Sequence, residues 1–267
     1  MYKGFKLEED FRLKEMLQKY KKIGSDMWGE KKESIKTTLE GYIRGDNFID
    51  CSKLQEDWFP MVQSDIFISH SHNDIDVVDG LAGWFYEEMG LNSFVDSHIW
   101  NYCNDLLREI DEKYCLHSNE ESFDYDKRNY STTHVHMMLA NSLNRMIDKS
   151  ECVIFFETPN SINPKNIIKE ETNSAWIYSE IMTTGIIRKN IPSRFKHGKN
   201  IENKSFNAQL NESFKPIYEL DTGHLIKITY DDLKSMLGDR ELQLETDYLD
   251  RLYKIAQKRR LITTNAD

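Results

Sequence analysis

The sequence predicts an α/β domain built on a doubly wound, mostly parallel sheet of about five strands. Three observations predict it. Short apolar runs at 64–72, 91–97, 151–161, 214–220 and 224–229 have the length and content of buried strands. Segments with apolar residues at helical spacing separate the first three of these runs. The composition can also fill a core of that size: 39% of the 267 residues are hydrophobic, with five Trp, 13 Tyr and 13 Phe.

Taken in order, residues 1–60 read as a helical extension. Leu13, Met16, Leu17 and Tyr20 recur at helical spacing, and Gly24 reads as a stop. Ile35, Leu39, Tyr42 and Ile43 repeat the pattern before Gly45. A segment of this length is near the lower limit for folding alone, so it is expected to pack on the main domain or on a partner. The main domain runs over 64–260. Its first strand is SDIFISHSH, and Asp74 then caps a helix that Gly90 ends. LNSFVDS is the second strand. An insertion near 101–131 holds a helix over 105–114 and a polar loop over 116–130. The next helix covers 133–148, with Val135, Met138, Leu139, Ser142, Leu143, Met146 and Ile147 on one side. ECVIFFETPNS is the third strand and NSAWIYSEIMTTGIIRK the helix after it. Residues 189–213 form a basic, Asn-rich loop. FKPIYEL and HLIKIT are closing strands, and YDDLKSMLG and TDYLDRLYKIAQKRR are closing helices. Five strands in this alternation fit the flavodoxin-like order, in which ligands sit at the carboxyl ends of the strands.

Charge narrows the class of partner. A net charge of -10 argues against a nucleic-acid backbone and against an anionic membrane surface. No apolar run approaches the ~20 residues of a membrane span. MYKGFKLEEDF carries acids where a secretory leader is apolar. Cys51, Cys103, Cys115 and Cys152 form no CxxC pair, which suits reduced thiols and a cytoplasmic location.

His70-Ser71-His72-Asn73-Asp74 follows the first strand and fits HxHxD, most of the metal signature of metallo-β-lactamase-like hydrolases. Two imidazoles and a carboxylate can hold zinc and generate hydroxide. The last ligand position is Ile75, however, and only a helical segment precedes the motif. His134 and His136 open a helix, where i and i+2 side chains do not share a face. The expectation is therefore no metal, with a zinc-dependent hydrolase as a distant alternative.

Two strings carry a resemblance. DIFISHSHND (65–74) closely resembles the opening strand and first loop of Toll/interleukin-1 receptor (TIR) domains, above all bacterial ones. In 150–181, a Ser ends a helix, an apolar strand follows, and Ser174, Trp176 and Glu180 come next in the TIR spacing Ser-x-Trp-x-x-x-Glu. FVDSHIW (94–100) sits where the second TIR strand enters the BB loop. The resemblance spans about 64–260. The usual Arg-Asp and Pro-Gly of the BB loop are absent, and Ala175 stands where a proline is common.

The resemblance implies an enzyme that cleaves the nicotinamide–ribose bond of NAD, with Glu180 as the catalytic carboxylate. It implies nicotinamide and ADP-ribose, or a cyclic ADP-ribose isomer used as a signal, as products. Similar bacterial proteins belong to antiphage systems such as Thoeris, where a separate effector responds to the messenger. No cofactor is implied, since NAD is the substrate, and activity is expected to need a homo-oligomer. Nicotinamide departs neutral, so the group that needs stabilising is an oxocarbenium-like ribose, which a carboxylate in a partly dry pocket can serve. Trp176 and Glu180 are i and i+4 on one helix and can face one cleft, with Trp176 walling the substrate. Ser69, His70, Asp96 and Trp100 are the further NAD-binding candidates. The alternative is a non-enzymatic TIR adaptor that only assembles.

Overall fold

The computed structural model describes residues 1–32, 39–44, 48–117, 122–163, 170–195, 217–238 and 247–263. Five strands form one sheet: β1 (Lys3–Glu8), β2 (Ile66–Ser69), β3 (Ser93–Val95), β4 (Cys152–Glu157) and β5 (Ile226–Ile228). Their order is β3-β2-β4-β1-β5, and every neighbouring pair is parallel. All four residues of β2 and the first five of β4 are buried, as strands covered on both faces must be.

The sheet has five strands as expected, but one of them differs. The described part of FKPIYEL, residues 217–220, does not join it: Tyr218–Glu219 pairs antiparallel with Glu171–Thr172 in a separate two-residue ribbon, and residues 214–216 lie outside the described residues. Its place is taken by the amino-terminal segment, which is therefore not a purely helical extension standing outside the 64–260 domain. β1 lies between β4 and β5, with Lys3 opposite Cys152 and Phe5 opposite both Ile154 and Ile226. The charges of KGFKLE mask this strand, since only Gly4, Phe5 and Leu7 are fully buried. Lys6 stays at the sheet because carboxylates meet it: its Nζ lies 2.6 Å from Glu170 and 3.1 Å from Glu157. Glu170 is thus a partner of the sheet, with its own side chain still partly exposed.

Nine helices are described: α1 (Phe11–Leu17), α2 (Lys21–Lys32), α3 (Cys51–Trp58), α4 (Ile75–Met89), α5 (Asp96–Tyr114), α6 (Tyr125–Lys149), α7 (Ala175–Ile186), α8 (Tyr230–Met236) and α9 (Tyr248–Thr263). They flank the sheet in groups. α1 and α2 pack on α4, and α3, α5, α6 and α7 pack in a second group around α6. The insertion near 101–131 is mostly helix, because α5 runs unbroken from the end of β3 to Tyr114 and α6 starts at Tyr125. The buried side of α6 is the expected one, from Val135 to Ile147, extended by Ser131. Ile35 and Gly45 lie outside the described residues.

Gly24 does not stop a helix; it lies inside α2. Its role is close approach. A Cβ there would meet the Asp79 carbonyl oxygen of α4 at 1.8 Å, and one on Gly83 would meet the Tyr20 carbonyl oxygen at 2.3 Å. Glycine on both sides of the crossing lets the two backbones nearly touch, which fixes α2 against the helix that leads out of β2. Gly90 does end α4, in the left-handed region at φ 67°, with its N–H donating to Tyr86 and that of Leu91 to Phe85.

Candidate functional site

The winding of the sheet reverses between β2 and β4. From β2 the chain moves outward to β3, and from β4 it moves the other way to β5. The carboxyl ends of these two strands flank the place where doubly wound sheets bind ligands. Four of the expected site residues meet here.

Ser69 is the last residue of β2 and His70 the next. Both are fully buried, at 0% and 2% exposure. Asp96 is the first residue of α5, directly after β3; no loop separates strand from helix as the BB-loop reading expected. Helix α7 starts after β4, with the Ser174 hydroxyl as its N-cap, accepting from Ile177 N at 3.3 Å. The buried stripe of α7 is Ile177, Glu180, Ile181 and Thr184. Glu180 therefore occupies a core position of an apolar helix, and it is 1% exposed.

A carboxyl group so placed is costly unless it has partners or keeps its proton. Neither oxygen of Glu180 has a hydrogen-bond partner, and the buried hydroxyl of Ser69 has none either. Ser69 and Asp96 are its polar neighbours. Burial pushes the Glu180 carboxyl well above the usual carboxylate range, and the negative charge of Asp96 pushes it the same way. Both effects favour the protonated form of Glu180.

Asp96 is held from its other side. His70 Nδ1 lies 2.8 Å from Asp96 Oδ1 and 3.2 Å from the carbonyl oxygen of Ile68. The first is an ion-pair distance, and the Ile68 carbonyl is the hydrogen-bonded partner of Nδ1. His70 Nε2 is 2.8 Å from the Ser97 hydroxyl. Burial lowers the pKa of His70, but the combined pull of Asp96, the Ile68 carbonyl and the charge of Asp74 exceeds it, and the net shift is upward. With both ring nitrogens engaged inside the protein, His70 is part of the wall and not a group that reaches a ligand. Asp96 is the member of the cluster with a path to solvent, its side chain being 14% exposed.

The HxHxD residues do not converge. His70 points inward, His72 is exposed, and Asp74 is buried and bound elsewhere. Asp74 does not cap α4 with its side chain as expected. It accepts from Thr158 Oγ1 at 2.6 Å and from Asn160 Nδ2 at 2.7 Å, tying the turn after β2 to the loop after β4. Among the described residues no group of three or more His, Cys, Asp or Glu is arranged to hold a metal ion.

The chain matches no protein-family model, and no curated protein and no solved structure is significantly similar to it.

Trp176 stands one turn before Glu180 and is half-buried. It packs edge-on against His136 of α6, with ring centroids 5.8 Å apart. Trp100 lies on α5, and its side chain falls outside the described residues. A polar cleft of about 330 Å³ opens beside the start of α7, lined by Pro159, Asn160, Ser161, Ile162, Asn163, Asn173 and Ser174. Ser97, Thr158 and Asn160 are the polar residues of this edge that sequence reasoning missed. Their one signal was position, directly after the second and third apolar strands. Among the described residues no helix is long and apolar enough to cross a membrane.

Proposed function

We propose that the chain is a TIR-type enzyme that cleaves the nicotinamide–ribose bond of NAD, with Glu180 as the catalytic carboxylate. One observation carries the reading: an unpartnered carboxyl group, 1% exposed, on the apolar stripe of the helix that follows β4. Structural carboxylates are paired; groups strained in this way cluster at functional sites. In the proposed reaction, nicotinamide leaves as a neutral molecule and the ribose carbon becomes cationic. Glu180, once ionised, faces that charge in a site where burial weakens screening. The orphan hydroxyl of Ser69 and the carboxylate of Asp96 are suited to the ribose hydroxyls. Water then captures the ribosyl cation to give ADP-ribose, or a second nucleophile within the same nucleotide closes a cyclic isomer.

Glu180 is closed to solvent, so substrate access requires the cluster to open on the Asp96 side. Assembly of several copies is the proposed means. The test is incubation of concentrated protein with NAD in crowding agent, with chromatographic separation of nicotinamide and the nucleotide product and Glu180→Gln in parallel. Nicotinamide release by the native protein and none by the folded variant is the expected result. Release unaffected by Glu180→Gln would overturn the assignment of Glu180. Concentration-dependent assembly with no release would favour the adaptor reading.

A further inference from the structure

We propose that His70 is a positioning residue: as an imidazolium clamped between Asp96 and Ser97, it fixes a negative charge on Asp96, so Glu180 releases its proton only when a cationic group comes between the two carboxyls. This rests on the reading of Glu180 as the catalytic carboxylate, and it adds the means by which that carboxylate is switched on.

The hydrogen-bond inventory supports the clamp. Both neighbours of His70 Nδ1, the Ile68 carbonyl and the Asp96 carboxylate, only accept. Nδ1 must therefore carry a proton in every charge state. Nε2 faces a hydroxyl, which accepts from imidazolium or donates to neutral imidazole by turning its own proton. Ser97 thus lets the ring change charge without losing a bond.

The charged and titratable groups around the cluster are few. His70 comes from the end of β2, Asp96 from α5, Glu180 from α7, and Asp74 from the turn before α4, where Thr158 and Asn160 hold its carboxylate. Two further imidazoles touch α7. His136 of α6 packs on Trp176, and His224 meets the Thr184 hydroxyl at 2.8 Å. Burial lowers the pKa of both, so neither supplies positive charge at neutral pH. His70 is the one cation of the described cluster. With His70 charged, Asp96 ionised and Glu180 protonated, these three groups together are neutral, and the Asp74 carboxylate beside them keeps its own partners in Thr158 and Asn160. A cationic nicotinamide ribosyl group adds a positive charge next to Glu180. That charge favours the carboxylate, and one proton leaves as the substrate binds.

The two neighbours of Glu180 then act with opposite sign. Loss of the His70 charge removes the positive charge that offsets Asp96, so the repulsion on Glu180 grows and its ionisation moves to higher pH. Loss of the Asp96 charge removes the repulsion and moves it to lower pH. A residue that merely holds the fold would not produce opposed shifts.

The experiment is carboxyl ¹³C and imidazole ¹⁵N NMR on the full chain, native and carrying His70→Gln, Asp96→Asn or Ser97→Ala, with Glu180→Gln assigning the resonance. In the native protein, His70 is expected to be cationic at neutral pH and Glu180 to titrate above its ordinary range. His70→Gln should raise the Glu180 midpoint by roughly one pH unit and Asp96→Asn should lower it by about as much. Ser97→Ala, the gentler variant should His70→Gln fail to fold, should raise it by less. A neutral His70 in the native protein at pH 7, or shifts of the same sign in the His70 and Asp96 variants, would overturn the proposal. These readouts need no turnover. Opposed shifts without nicotinamide release would leave the switch standing and reject NAD cleavage, and nicotinamide release without opposed shifts would do the reverse.

Discussion

Glu180→Met should make the protein more stable while abolishing the proposed activity. Methionine is close to glutamate in length and can follow the stripe that Glu180 shares with Ile177, Ile181 and Thr184. The substitution removes two buried oxygens that have no hydrogen-bond partner. A buried unsatisfied polar group destabilises by about 1–3 kcal/mol, which sets the expected gain. The gain should also depend on pH. Glu180 has a folded-state pKa above its ordinary value of 4.5. Above that value the unfolded chain releases the proton and the folded chain retains it. The native state then binds more protons than the unfolded one, and stability falls as pH rises, by up to about 1.4 kcal/mol per pH unit until the folded group ionises. Glu180→Met abolishes this slope. Urea unfolding followed by tryptophan fluorescence at pH 5 and pH 7 measures both effects. The variant should lead at both pH values and lead by more at pH 7. A variant less stable than the native protein, or an advantage equal at both pH values, would refute the account of Glu180 as a buried, protonated group.

Three further outcomes are expected. Gly24→Ala should destabilise by about 1–3 kcal/mol or more, because its Cβ would meet the Asp79 backbone at 1.8 Å; a thermal melt within a degree of the native curve would show that α2 and α4 are not in that contact. Asp74→Ala should lower stability by about 1–3 kcal/mol, since Thr158 and Asn160 lose their acceptor, and hydrogen exchange in the loop after β4 should quicken. In native protein treated with iodoacetamide, Cys51 should be alkylated first and Cys152 should stay unmodified until unfolding; Cys152 is fully buried and burial raises its thiol pKa well above the usual range. Mass spectrometry of the digest reads this directly.

How far the sequence disclosed this molecule varied with how continuous each pattern was. β4 and α6 have long unbroken patterns, and the structure follows them there, but α6 also runs back to Tyr125, through residues whose polar composition reads as loop. β1 has no such pattern: Lys3, Lys6 and Glu8 interrupt it, and its burial depends on partners at Glu157 and Glu170 that no local window contains. FKPIYEL erred in the other direction: it has strand composition, but its described residues pair over two residues outside the sheet. Gly24 looked like punctuation because glycine usually ends a helix; that Asp79 backbone lies against it is a tertiary fact. At the site, Glu180 stood out in the sequence only through the resemblance; its place on the buried stripe of α7 came from the structure. The His70–Asp96 contact was not legible, since it joins the ends of two different strands and its geometry depends on the sheet.

The position of β1 bears on how the chain is made. It is made before the other four strands of the sheet, yet it pairs with β4 and β5, whose residues lie far along the chain. At ribosomal rates of 5–20 residues per second, roughly ten to thirty seconds pass before β4 emerges. During that time β2 and β3 can meet, whereas Phe5 and Leu7 have no sheet to join. Insertion of β1 beside β4 is then a late, high-contact-order event on which the docking of β5 depends. A nascent chain stalled before Cys152 would expose an unpaired strand at one end and an unfinished sheet at the other, the kind of species that holdase chaperones bind.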